Sequence, residues 1–264
     1  MHRIATAGRR TLLALLALAV CASGAIGQPA KGCAIVLLHG KWGNPGQLGP
    51  FARKLLPVCD YRALEMPWSQ RRGYDKDYPS ALREISAQVK DFRQQGYRRV
   101  LVAGHGLGAN AAIAYAAEVG NVDGVIALAP GHFPRAMYER GGSREVVDAA
   151  RKLVAAGKGQ QSLSIEDTEL DQRRSIAMSA AVMVSYFDPQ GLGDMPTTAR
   201  RIAQNIPLMW VIGRKDPLFA AGEAYAYAQA PPHPLGRYAV VNADHAGTPD
   251  AAAKPVIEWV RLLE

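Results

Sequence analysis

Val100-Leu101-Val102-Ala103-Gly104-His105-Gly106-Leu107-Gly108-Ala109 is the stretch from which the rest of the chain can be read. The apolar run 100–103 has the length of a buried strand, and the Ala-rich stretch 109–118 reads as a helix. Between them, three glycines alternate with His105 and Leu107. Such a turn takes a strand directly into a helix. Its central residue needs a positive φ, which Gly106 adopts more cheaply than any other residue.

Strand-like runs and helical patterns alternate outward from this turn. The strands expected are 34–38, 61–66, 100–103, 124–128, 208–212 and 238–241. Helices are expected at 49–56, 79–95, 109–118 and 251–263. Pro79 suits a first helical turn, and Gly96 stands where that helix should stop. The alternation implies an α/β fold, a mostly parallel sheet covered on both faces. The segment 131–205 is too long for an ordinary crossover. Its stretches 143–156 and 165–185 look helical, with Gly157-Lys158-Gly159 as a turn between them, and it reads as an inserted helical cap over the carboxyl ends of the strands.

At 264 residues, 48% hydrophobic and 20% charged, the chain suits one large domain. Residues 1–27 read as a signal peptide: Arg3, Arg9 and Arg10, then apolar 12–20, then Ala25-Ile26-Gly27 as a cleavage signal. The apolar run is too short for a stable membrane span. Arg9-Arg10 permits a twin-arginine route, and Cys21 a lipoprotein, although Val20 is a poor residue before a lipidated Cys. The mature chain, 28–264, is therefore expected in the periplasm or secreted. Removing the leader takes away three Arg and no acid, so the net charge falls from +8 to +5 (28 basic against 23 acidic). Those charges are spread along the chain, a solvated basic surface and not a nucleic-acid footprint. Cleavage leaves Cys33 and Cys59. Each precedes a strand, and if those strands are neighbours the two form a disulfide; the alternative is two buried thiols. Closing that loop would stabilise by about 3 kcal/mol.

Four strand ends carry chemistry: Leu38-His39-Gly40, the turn 104–108, Gly213-Arg214-Lys215-Asp216-Pro217, and Ala243-Asp244-His245. In this order the mature chain resembles the α/β-hydrolase superfamily, specifically its small exported esterase- or lipase-like members. The resemblance implies that 104–108 is a nucleophile elbow, G-x-S-x-G in all but the serine, with Gly106 at the nucleophile position. It makes Asp216 the acid that orients the base and His245 the base itself. It puts the oxyanion donors at the backbone N–H of Lys41 or Trp42 together with that of Leu107. Taken singly, Asp216-Pro217 could be turn chemistry and His245 an incidental loop histidine. Asp244 is the weaker acid, since adjacent side chains rarely face each other.

Glycine at the elbow keeps the fold but removes the atom that forms an acyl-enzyme. No substitute is evident. His105 should point away from the cleft, Ser69 reads as a turn residue, and Ser185 has no base. A water activated by His245 and held by Asp216 remains an alternative route. His39, Trp68 and His132 are candidate pocket residues. Trp42, Trp68, Tyr186 and Phe187 could form an apolar wall or simply core. No metal-ligand spacing and no cofactor motif is present, so none is expected. Three readings stay open: an ester hydrolase lacking its serine, a pseudoenzyme binding a small acyl or ester-like ligand or a partner, and a His–Asp site working through water.

Overall fold

The structure, a computed structural model, describes His2 and residues 31–263. The expected leader 1–27, His2 apart, lies outside the described residues. The strands are β1 (Lys31–Leu38), β2 (Asp60–Leu64), β3 (Tyr97–Gly106), β4 (Gly124–Pro130), β5 (Ser162–Glu169), β6 (Gln172–Ser179), β7 (Leu208–Gly213) and β8 (Arg237–Val241). The helices are α1 (Gly49–Leu55), α2 (Tyr78–Gln94), α3 (Leu107–Glu118), α4 (Pro134–Glu139), α5 (Arg144–Ala155), α6 (Ala180–Phe187), α7 (Met195–Ala199), α8 (Thr248–Ala251) and α9 (Ala253–Leu262).

Six strands make one sheet in the order β2-β1-β3-β4-β7-β8, every pair parallel. Each overlaps a strand read from the sequence, although β2 ends at Leu64, short of the expected 66. The alternation of side chains across β1 explains the layering. Ile35 and Leu37 face Phe51, Leu55, Val256 and Trp259 from α1 and α9. Val36 and Leu38 face the other way, into a core with Ile85, Val89 and Tyr115 from α2 and α3. Strands buried on both faces lose their polar alternation and read as continuous apolar runs.

Asp77 caps α2 by accepting the Ser80 N–H at 2.8 Å, and the helix ends before Gly96, which has φ 87°. Ala34 pairs with Asp60 across β1 and β2, which puts Cys33 beside Cys59. The two form a disulfide with a Cα–Cα distance of 4.5 Å.

The order of strands changes direction at β1, whose neighbours are β2 on one side and β3 on the other. The carboxyl ends of β1 and β3 adjoin there, Leu38 beside Gly104. Ligand sites in open parallel sheets form at such points.

The expected helix at 165–185 is not formed. Residues 162–179 are an antiparallel hairpin, β5 and β6, and only 180–187 are helical, as α6. The segment 131–205 is thus mixed, not all-helical. The reason is visible in β5, where Ile165 and Asp167 are buried while Ser164 and Glu166 are exposed, a period of two. The two-residue turn that closes the hairpin is Leu170-Asp171, with Leu170 at φ 54°. Glycine or asparagine normally marks that conformation, and neither is there to signal it. Among the described residues no helix is long and apolar enough to cross a membrane.

Candidate active site

Gly106 ends β3 at φ 54° and ψ −119°, and α3 starts at the next residue. The glycines on either side are required by space. A Cβ on Gly104 would come within 2.1 Å of the Gly108 backbone, and one on Gly108 within 2.3 Å of Leu38 O. Gly106 differs. A Cβ there would lie 3.3 Å from Glu169 Oε1, 3.5 Å from His245 Nε2 and 3.6 Å from Gly40 Cα. The turn is strained for any other residue, but a side chain there would press closely only on the Glu169 carboxylate and would lie beside His245.

His245 follows β8, and its Nδ1–H donates to Asp216 Oδ2 at 2.8 Å; both residues are buried. Asp216 follows β7, and its second oxygen accepts the Leu218 N–H at 2.8 Å. Asp244 accepts the Gly247 N–H, closing the turn that carries His245, so it supports the loop and does not face the imidazole. His105 lies against His245 with ring centroids 4.5 Å apart, not turned away from it as the sequence suggested. Its protonation follows from its partners. Gln47 Oε1 accepts the Gly40 N–H at 2.8 Å, so Gln47 Nε2 is the donor to His105 Nδ1 at 3.3 Å. His105 Nε2–H then donates to the His245 carbonyl at 3.0 Å. Burial, with His245 nearby, lowers the His105 pKa to about 4, which keeps this chain neutral and fixed.

The hairpin brings a second group of charges. Lys41 Nζ, fully buried, donates to Asp167 Oδ1 at 2.8 Å and to Thr168 O at 2.7 Å. The Tyr74 hydroxyl donates to the other Asp167 oxygen at 2.9 Å. A buried pair so fully hydrogen-bonded ties the hairpin to the loop after β1. Two residues on, and therefore on the same face of β5, Glu169 reaches the site. Its Oε1 lies 3.4 Å from His245 Nε2, and its Oε2 3.9 Å from Lys41 Nζ. The contact with His245 is ionic but lacks hydrogen-bond geometry, so His245 Nε2 is a buried donor without an acceptor. Burial would lower the His245 pKa. The hydrogen bond to Asp216 and the Glu169 carboxylate outweigh it and raise the pKa to about 9. Burial likewise opposes ionisation of Glu169, but His245 and Lys41 prevail and its pKa is lowered.

Gly106, Asp216 and His245 are therefore brought together. Of the two N–H candidates after β1, that of Trp42 is committed to Trp68 O at 2.9 Å, while that of Lys41 makes no hydrogen bond among the described residues. The Leu107 N–H opens α3 without a side-chain cap.

The candidate pocket residues His39, Trp68 and His132 are all buried. The His39 ring donates from Nδ1 to Gly40 O and accepts the Met66 N–H at Nε2, and burial lowers its pKa. Trp68 Nε1–H donates to His39 O. His132 Nε2 bonds Tyr186 O, and burial, with Lys41 nearby, lowers its pKa to about 4. Tyr186 and Phe187 are core. Ser69 donates to the Glu65 carboxylate and Ser185 to Val182 O, so neither hydroxyl bonds a histidine. Glu169 is the residue sequence reading missed. Asp167 and Glu169 at alternate positions would have flagged a charged strand face, had the hairpin been recognised. Among the described residues no group of three or more His, Cys, Asp or Glu could hold a metal ion.

The sequence profile of the Alpha/beta hydrolase family matches residues 35–259, and the chain belongs to that family. Solved structures of the same fold include a monoacylglycerol lipase of Paleococcus ferrophilus, 18% identical over 88% of this chain and 95% of that one, TM-score 0.62. The esterase Est1E of Butyrivibrio proteoclasticus with ferulic acid bound is 17% identical over 89% of this chain and 88% of that one, TM-score 0.57. DcsB in complex with its substrate analogue is 12% identical over 89% and 91%, TM-score 0.62. No curated protein sequence matches the chain.

Proposed function

We propose that the mature chain, 28–264, is an exported member of the carboxylic-ester hydrolase lineage that binds a small acyl or ester-like ligand without forming an acyl-enzyme. In this reading 1–27 is a cleaved leader, and 131–205 is a cap whose hairpin closes over the strand ends. The observation that carries it is the alignment of Asp216, His245 and an empty nucleophile direction: His245 Nε2 lies 3.5 Å from where a Gly106 side chain would begin. Asp216 is the orienting acid, His245 the base, and the N–H groups of Lys41 and Leu107 the oxyanion donors. Only the hydroxyl is missing. In a serine protease, loss of the nucleophile alone costs roughly a millionfold in kcat.

Hydrolysis through water is less well supported than binding without turnover. A general base must be unprotonated, and with its pKa near 9 His245 is an imidazolium at neutral pH.

Turnover of p-nitrophenyl butyrate by the parent protein and by Gly106→Ser tests this directly. Background rates for the parent and a marked gain for the variant are expected. A folded Gly106→Ser protein that gains nothing at any pH would mean that Asp216 and His245 do not form a hydrolase frame. An active parent, unchanged by the serine, would point to the water route.

A further inference from the structure

Glu169 lies beside a cluster of donors, 3.4 Å from His245 Nε2 and 3.9 Å from Lys41 Nζ. The uncapped N-terminus of α3, a helix of twelve residues, presents the Leu107 N–H directly after Gly106, and helix N-termini favour anions. The loop after β1 lies against the same spot, with Gly40 Cα 3.6 Å from the Gly106 Cβ position. The loop adds the free Lys41 N–H. His245 independently points there. Its side chain is 5% exposed, and Nε2 is a buried donor without an acceptor. Glu169 contacts this donor from a part-exposed position at the end of β5, one residue before the hairpin turn.

We propose that this site binds a small monocarboxylate non-covalently, its oxygens received by His245 Nε2–H and the N–H groups of Lys41 and Leu107, and that Glu169 is a built-in competitor which the ligand displaces. The inference rests on the reading above that the hydrolase frame is intact and its nucleophile absent.

Charge and shape select the ligand class. The charged groups at the site comprise two cations, Lys41 and His245, and three carboxylates, Asp167, Asp216 and the part-exposed Glu169. Lys41 is matched by Asp167 and His245 by Asp216, so Glu169 is the one anion in excess. With Glu169 turned out to solvent the remainder is neutral, and one monoanion restores the resting charge. A dianion would add a further unmatched charge in a buried place. A carboxylate, that of Glu169, already pairs ionically with His245 Nε2 at 3.4 Å. The guanidinium of exposed Arg174, on β6 opposite Asp167, lies 4.5 Å over the Trp42 ring, a further positive charge on the hairpin.

Calorimetric titration at pH 7 with sodium butyrate, on the Gly106 protein, tests the proposal. A ligand that competes with a resident group has its apparent affinity reduced by the fraction of molecules in which that group is out. Saturable one-to-one binding is expected for Glu169→Ala, about tenfold or more tighter than for the parent. Glu169→Gln, which keeps the packing and removes the charge, should move in the same direction. Adding His245→Gln to Glu169→Ala should abolish binding. Equal binding of 1-butanol would overturn the proposal by showing an apolar pocket, and tighter binding of inorganic phosphate would overturn the ligand class. Absence of saturable binding in both folded Glu169 variants would overturn it outright. Hydrolysis by Gly106→Ser is a separate reading. Butyrate binding without esterase gain would sink the hydrolase frame and not this site, and gain without binding the reverse.

Discussion

A serine introduced at position 106 should be throttled by Glu169, and the size of the effect follows from His245. With a pKa raised to about 9, only about one His245 in a hundred is neutral at pH 7. The introduced serine would need that neutral form to take its proton. The kcat/KM of Gly106→Ser for p-nitrophenyl butyrate should therefore rise about tenfold per pH unit from pH 6.5 and level off near pH 9. Glu169 is one of the two carboxylates responsible for that shift, the other being Asp216. Removing it in Gly106→Ser/Glu169→Ala should move the inflection down, leaving the double variant about tenfold or more faster than the single one at pH 7. The difference between the two should shrink to a constant factor near pH 10. Removal of Glu169 also relieves the 3.3 Å contact with the new Cβ, which affects all pH values alike and so does not mimic the shift. The assay is a pH–rate profile from 6 to 10 with spontaneous ester hydrolysis subtracted. Inflections that coincide in the two variants would refute the assignment of Glu169 as the group that holds His245 protonated.

The elbow glycines should separate by role: Gly108→Ala, whose Cβ would meet Leu38 O at 2.3 Å, should fail to fold or lose more than about 3 kcal/mol. Gly106→Ala should stay folded at a cost of about 1–2 kcal/mol for its positive φ, and equal urea midpoints for the two would contradict this. Reduction of the Cys33–Cys59 disulfide, which spans 26 residues, should lower stability by about 3 kcal/mol in denaturant titrations with and without reductant. The raised His245 pKa stabilises the fold fully below its unfolded value of about 6.5, and this contribution, at most about 3 kcal/mol, is lost as pH rises through about 9. Urea titrations at pH 6.5 and 9.5 should show a smaller loss for Glu169→Ala than for the parent, and an equal loss would argue against the ion pair.

Much of this protein was legible in its sequence because the relevant signals are local. A strand buried on both faces must be an apolar run, so 34–38, 100–103, 124–128 and 208–212 stood out without any partner being known. The elbow was legible because a strand that turns at once into a helix needs its flanking glycines, and the distances at Gly104 and Gly108 show why. The placement of Asp216 and His245 came from the resemblance of successive strand ends to the family pattern. The Cys33–Cys59 pairing followed once those strands were taken as neighbours.

What the tertiary structure alone decided are the contacts between segments far apart in the chain. The hairpin 162–179 was hidden because its turn uses Leu170 at positive φ in place of a glycine, and its strands are largely exposed, with little apolar alternation. Lys41 meets Asp167 across 126 residues, and His245 meets Glu169 across the chain from another element. No local pattern encodes such pairs, because a charged residue reads the same whether it faces water or a buried partner. His39 and His132 looked like pocket residues for the same reason: only the fold shows that both ring nitrogens of His39, and Nε2 of His132, bond backbone groups. The sequence thus determined the frame, because burial and backbone conformation constrain residue type position by position. Folding determined the charge state of the site, because the protonation of His245 depends on carboxylates that only the fold brings to it.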